Sequence, residues 1–160
     1  MKWTADGSKI CIVYEDGAVI VGSVDGCRRW GKELGMRLNL LEWSPDSRYI
    51  LFVSDQAQIF AYDAMGNKIK QLHLPILDDL GSDERDSIQV SGINWYDGSE
   101  GHSDPTAPTL AIALSNGKIQ LTRGTDDPMP LIIDTKLNPL NECKWNCKGT
   151  VISVSGFETV

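Results

Sequence analysis

Tryptophan recurs along this 160-residue chain in one phase, and that phase restricts the fold more than any other feature. Trp3-Thr-Ala-Asp6-Gly7, Trp43-Ser-Pro-Asp46-Ser47, Trp95-Tyr-Asp97-Gly98 and Trp145-Asn-Cys-Lys-Gly149 each read as an aromatic residue, a short polar turn and then an apolar run. Trp43 follows Trp3 by 40 residues, Trp95 follows Trp43 by 52, and Trp145 lies a further 50 along. Self-similarity at a period of roughly 20–50 residues marks stacked or radial repeat units, none of which buries its apolar face alone.

The runs after each tryptophan share the register. Ile10-Cys11-Ile12-Val13-Tyr14, the turn Glu15-Asp16-Gly17 and Ala18-Val19-Ile20-Val21 reappear 40 residues later. There they read Ile50-Leu51-Phe52-Val53-Ser54, a turn at Asp55-Gln56-Ala57, and Gln58-Ile59-Phe60-Ala61-Tyr62. A third copy, 100 residues from the first, reads Leu110 to Leu114, Ser115-Asn116-Gly117 and Lys118 to Leu121. The excess over 40 falls in two insertions, residues 75–87 and 96–108.

Each unit parses as four strands. The strand ending in tryptophan alternates, as in Leu38-Asn39-Leu40-Leu41-Glu42-Trp43, whereas the second strand is continuously apolar and predicts burial on both faces. Asp16-Gly17 and Asn116-Gly117 between apolar runs predict tight hairpins with positive φ at both central positions. A weaker fourth strand is predicted at Cys27 to Trp30, Ile69 to Leu74 and Leu131 to Ile133, and no segment carries a sustained helical period with caps. The expected fold is all-β, part of a WD40-type β-propeller. Repeats span approximately 1–34, 35–74, 88–134 and 138–160, giving two complete blades flanked by two partial ones, a piece of a longer propeller.

Charge and composition narrow the function. The net charge is −7, and Arg28-Arg29 is the densest basic spot, so a nucleic-acid backbone is not an expected partner. No apolar run reaches the roughly 20 residues that span a bilayer, and Met1 to Gly7 lacks the features of a signal peptide. Cys11, Cys27, Cys143 and Cys147 have irregular spacing and make no disulfide framework, which fits a reducing compartment.

Catalytic and metal chemistry find little support. Cys143-Lys-Trp-Asn-Cys147 offers two of the four ligands a structural zinc needs, and His73 and His102 fall in different repeats. Buried strand thiols are the expected reading of these cysteines, with Cys143 and Trp145 on one strand face. Two separated histidines build no hydrolytic triad, and the glycine-rich turns are hairpins, with no phosphate loop. No catalytic residue, cofactor-binding residue, cofactor or metal site is expected. The one charge run, Asp78-Asp79-Leu80-Gly81-Ser82-Asp83-Glu84-Arg85-Asp86, reads as a solvated connector or as a partner-docking loop. In the second reading Asp78, Asp79, Asp83, Glu84 and Asp86 face a basic partner.

The run Lys9-Ile-Cys-Ile-Val-Tyr-Glu-Asp-Gly-Ala-Val-Ile-Val-Gly-Ser-Val-Asp-Gly26, followed by Trp30-Gly-Lys-Glu-Leu34, resembles the WD-repeat subunits of intraflagellar transport complex A. Trp95-Tyr96, Gly98, Glu100-Gly101, Asn116-Gly117 and Leu131 to Thr135 extend the likeness. The resemblance implies a non-catalytic scaffold in retrograde ciliary transport and cargo entry, with other complex A subunits as partners. It further implies residence in the cilium or flagellum, the basal body and the cytoplasm. A generic WD-repeat adaptor of another multiprotein complex is the alternative, since it needs only the 40-residue period.

Overall fold

A computed structural model of the chain describes residues 1–78, 80–96 and 108–158. It is built almost wholly of antiparallel strands: β1 (Lys2–Trp3), β2 (Lys9–Val13), β3 (Ala18–Ser23), β4 (Arg28–Glu33), β5 (Leu38–Trp43), β6 (Tyr49–Ser54), β7 (Ile59–Asp63) and β8 (Lys68–Leu72) in the first half. The second half holds β9 (Val90–Tyr96), β10 (Thr109–Leu114), β11 (Lys118–Arg123), β12 (Leu131–Asp134), β13 (Leu137–Trp145) and β14 (Ile152–Glu158). They form three four-stranded meanders, β1 to β4, β5 to β8 and β9 to β12, and a two-stranded sheet of β13 and β14.

Two compact units divide the chain, Met1–Leu72 and His73–Val160. In the first, the β1–β4 and β5–β8 sheets pack around Cys11, Val19, Val21, Trp43, Phe52 and Tyr62, with Phe52 and Tyr62 edge to face at 5.3 Å between ring centroids. In the second, Ala111, Ala113, Ile119, Leu140 and Cys143 form the core, with Trp145 and Val154 packed against it.

The continuously apolar second strands β6 and β10 are buried along Ile50–Ser54 and Leu110–Leu114. In β2, by contrast, only Cys11 is buried. The Cys11 face of β2 packs on the neighbouring sheet of its unit, and Ile10 and Ile12 point to the other side, which no sheet of that unit covers.

The turns after Trp3 and Trp43 repeat atom for atom. Thr4 Oγ1 donates to Asp6 Oδ1 at 2.6 Å and accepts from the Lys9 N–H at 3.0 Å. Forty residues on, Ser44 Oγ donates to Asp46 Oδ1 at 2.5 Å and accepts from the Tyr49 N–H at 3.0 Å. The Gly7, Ser47 and Gly149 N–H groups each donate to the carbonyl of the residue just after tryptophan, and all three take a left-handed conformation. After Trp3 and Trp43 the short hydroxyl side chain thus satisfies a turn amide that the sheet leaves unpaired.

The hairpins between second and third strands differ from expectation. Only Gly17 and Gly117 have positive φ; Asp16 and Asn116 do not. Gly17 N–H bonds to the Tyr14 carbonyl and Gly117 N–H to the Leu114 carbonyl, as in the longer loop that ends on one left-handed residue. The fourth strands also differ: β4 runs on to Glu33, and β8 stops at Leu72. One short helix, α1 (Ser82–Ser87), went unpredicted because six residues show no period and its N-cap, Gly81, has no capping side chain.

Candidate interaction surface

The acidic segment is displayed between two buried anchors of the second unit. Leu74, Ile76 and Leu77 are buried on one side, within or beside a 3-10 turn over Pro75–Leu77, and Ile88 and Val90 are buried on the other. The side chain of Gln120 on β11, 2% exposed, accepts the Ile76 N–H at 3.2 Å and ties the turn to its blade. Sequence reasoning missed Gln120; a lone glutamine in the apolar pattern Lys118-Ile-Gln-Leu121 was the available signal.

Between these anchors Asp83, Glu84 and Asp86 lie exposed on α1 with Arg85 among them. Asp78 is exposed just before, and its Oδ2 stands 3.0 Å from His73 Nε2. Asp79 lies outside the described residues, as does the second insertion from residue 97 to 107. Acids in the first turn suit the helix dipole, so Asp83 and Glu84 favour the short helix as well as charging its surface.

Strand alternation assigns the acidic segment a rim. Gln89, two residues past α1, exchanges hydrogen bonds with Ser115 of the β10–β11 hairpin at 2.8 and 3.1 Å. Pro108, which closes the second insertion, instead accepts the Gly124 N–H of the β11–β12 turn at 2.8 Å. The described ends of the two insertions of this unit, Gln89 and Pro108, thus lie at opposite rims. The charge divides as unevenly. Residues 1–72 carry as many Lys and Arg as Asp and Glu, so the whole net charge of −7 belongs to residues 73–160.

The four cysteines are free thiols. Cys11 and Cys143 are buried on strands, and burial pushes the Cys11 thiol up to about 12. Cys147 is exposed in the turn between β13 and β14, so the reading of both members of the Cys143–Cys147 pair as buried thiols holds for Cys143 alone. Among the described residues no group of three His, Cys, Asp or Glu side chains is placed to hold a metal, and no helix is long and apolar enough to cross a membrane.

The repeated sheets, the tryptophan turns and the rim loops describe blades of a propeller, and a family model described as WDR35/TULP4 N-terminal, a β-propeller, matches residues 1–160. The chain belongs to this family. Human WD repeat-containing protein 35 is 45% identical over 159 residues, which are 99% of this chain and 13% of that protein. Mouse Tubby-related protein 4 is 28% identical over 174 residues, covering 98% of this chain and 11% of that protein. The chain thus spans about an eighth of the length of these relatives. Among solved structures, the β-propeller domain of Cps50 (Swd1) from Myceliophthora thermophila superposes with a TM-score of 0.71 at 9% identity, over 99% of this chain and 49% of that one. That likeness confirms the propeller fold. Within the WDR35/TULP4 family this chain is a WD-repeat propeller scaffold segment.

Proposed function

We propose that the chain is a non-catalytic protein-binding scaffold of intraflagellar transport complex A, acting in retrograde ciliary transport and cargo entry. The observation that carries this reading is the 45% identity to WD repeat-containing protein 35 across 99% of the chain. Its site of action is the cilium or flagellum, the basal body and the cytoplasm, and its partners are other subunits of that complex. The acidic rim segment of the second unit is the docking element, with Asp78, Asp79, Asp83, Glu84 and Asp86 meeting a basic surface.

A generic adaptor role in another complex has one observation in its favour. The same family covers Tubby-related protein 4, so this propeller segment serves proteins of more than one name.

The test is co-purification from ciliated cells of three tagged chains: wild type, the triple variant Asp83→Lys/Glu84→Lys/Asp86→Lys, and a deletion of residues 101–105. Complex A subunits should accompany the wild type and the deletion, and the charge-reversed chain should lose them while melting at the wild-type temperature. Equal loss from both changes would refute the docking role, and recovery of no complex A subunit by any chain would favour the generic adaptor.

A further inference from the structure

The hairpins that join second to third strands carry different residues at the same two places. They read Asp16-Gly17, Gln56-Ala57 and Asn116-Gly117. Only the third sets an asparagine directly before a glycine. The amide carbon of asparagine is open to attack by the next residue's backbone nitrogen, and glycine has no side chain to obstruct it. Asparagine counts among the thermally labile residues for that reason. A carboxylate, as at Asp16, is a far poorer target. Gln56 would have to close a larger ring, against the methyl group of Ala57.

The closed hairpin withholds the attacking nitrogen. The Gly117 N–H donates to the Leu114 carbonyl at 3.1 Å, and Gly117 is buried. Asn116 is half-buried, and its Oδ1 accepts the Lys118 N–H at 3.3 Å. Neighbouring segments of the same unit hold the hairpin shut. The Gly117 carbonyl accepts the Thr135 N–H at 3.0 Å and the Thr135 hydroxyl at 2.7 Å. The Leu140 N–H donates to the Ser115 carbonyl at 3.1 Å. Release of the nitrogen therefore requires the hairpin to open, a local event that costs less than unfolding.

We propose that Asn116 is a deamidation site gated by its own hairpin, intact while the Gly117 N–H is bonded and modified once it is released. Hydroxide removes the Gly117 amide proton, and the nitrogen forms a bond to Asn116 Cγ. The Cγ–Nδ2 bond breaks, and Nδ2 leaves as ammonia with a proton from water, which regenerates hydroxide. Water then opens the cyclic imide at either carbonyl, leaving aspartate or isoaspartate. The fold discriminates between these products. Aspartate already stands at the equivalent position 16, where its Oδ1 accepts the Ala18 N–H at 3.1 Å. Isoaspartate inserts a methylene into the backbone and displaces Gly117 from its close passage against the Leu137 carbonyl. Either product adds a negative charge to the rim of the acidic segment, because neighbouring Ser115 bonds to Gln89. The modification does not depend on the docking role of that segment.

The test incubates the full chain at mildly alkaline pH, folded and in urea, and follows residue 116 by peptide mass spectrometry. Isoaspartate is read separately with an isoaspartyl carboxyl methyltransferase. Asn116 should convert about tenfold more slowly in the folded chain than in urea. Thr135→Val, which removes one bond to the Gly117 carbonyl, should speed conversion in the folded chain severalfold. Thr4→Val, which removes a turn hydroxyl from the other unit, should not, with circular dichroism confirming that both variants are folded. Asn116→Asp should melt with the wild type, and the isoaspartate fraction below it. Conversion as fast folded as in urea, or equal responses to the two threonine variants, would overturn the gating. So would no conversion in either the folded wild type or Thr135→Val after the urea sample is complete. An Asn116→Asp chain melting well below the wild type would overturn aspartate as the accepted product.

Discussion

Gly117 sets its bare α-carbon against the main-chain carbonyl of Leu137, so closely that a Cβ there would collide with the oxygen. Gly17 stands in the same relation to Met36 one hundred residues earlier. Each glycine ends the hairpin of one sheet and lets the chain entering the next sheet pass directly over it. The hairpin of the second repeat ends instead on Ala57, which is 2% exposed and holds φ 55° with its methyl group in place.

Opposite substitutions at these two positions should therefore have opposite effects. Gly117→Ala should cost about 1–3 kcal/mol, because it adds a left-handed alanine and a steric clash. Ala57→Gly should stabilise by up to about 1 kcal/mol by relieving the left-handed strain, less what the lost methyl contributed to packing. Urea denaturation of the two variants beside the wild type checks both signs.

Thiol labelling should divide the cysteines in half. Cys27 and Cys147 are exposed, while Cys11 and Cys143 are buried. The native chain should react rapidly at Cys27 and Cys147 with an aromatic disulfide reagent. Cys11, whose thiol burial holds at about 12, should react only on unfolding, together with Cys143. Rapid native labelling of Cys11 would contradict the packing of β2 on its neighbouring sheet.

Asp6 and Glu42 should show opposite pH signatures. Hydrogen bonds from Thr4, and then from Ser8, hold the Asp6 carboxyl down to about 2, against an ordinary value of 3.8. Its contribution to stability is present above pH 3.8 and is lost as pH falls toward 2. Glu42 moves the other way, because burial raises it and the Lys2 ammonium only partly opposes the rise. Glu42 therefore favours the folded state most below 4.5, and that contribution is lost as pH climbs through its raised value. Asp6→Asn should lower the melting temperature at pH 6 and leave it unchanged at pH 2. Glu42→Gln should raise it at pH 7 and leave it unchanged at pH 3.

Most of the fold was legible because a propeller repeats its instructions. Tryptophan and the left-handed turn after it recur in register, so Trp3, Trp43 and Trp145 each reported the same local structure. Left-handed Ala57 was not legible, since nothing in Asp55-Gln56-Ala57 distinguishes a strained turn from an ordinary one. The candidate surface was half legible. Charge marked the residues from Asp78 to Asp86, but α1 is too short for a period, and the anchorage of the preceding Pro75–Leu77 turn by Gln120 depends on a contact 44 residues away in sequence.

We propose that this propeller segment binds protein partners through the acidic rim of its second unit. Hydrogen exchange of the chain, alone and with reconstituted complex A subunits, tests it most directly. Amides of residues 80–88 and of the adjoining Ser115–Gly117 hairpin should slow on binding, while the opposite-rim turns at Arg123–Asp127 and Asn146–Val151 exchange unchanged. Slowing confined to those opposite-rim turns, or no slowing anywhere with a folded chain, would contradict it.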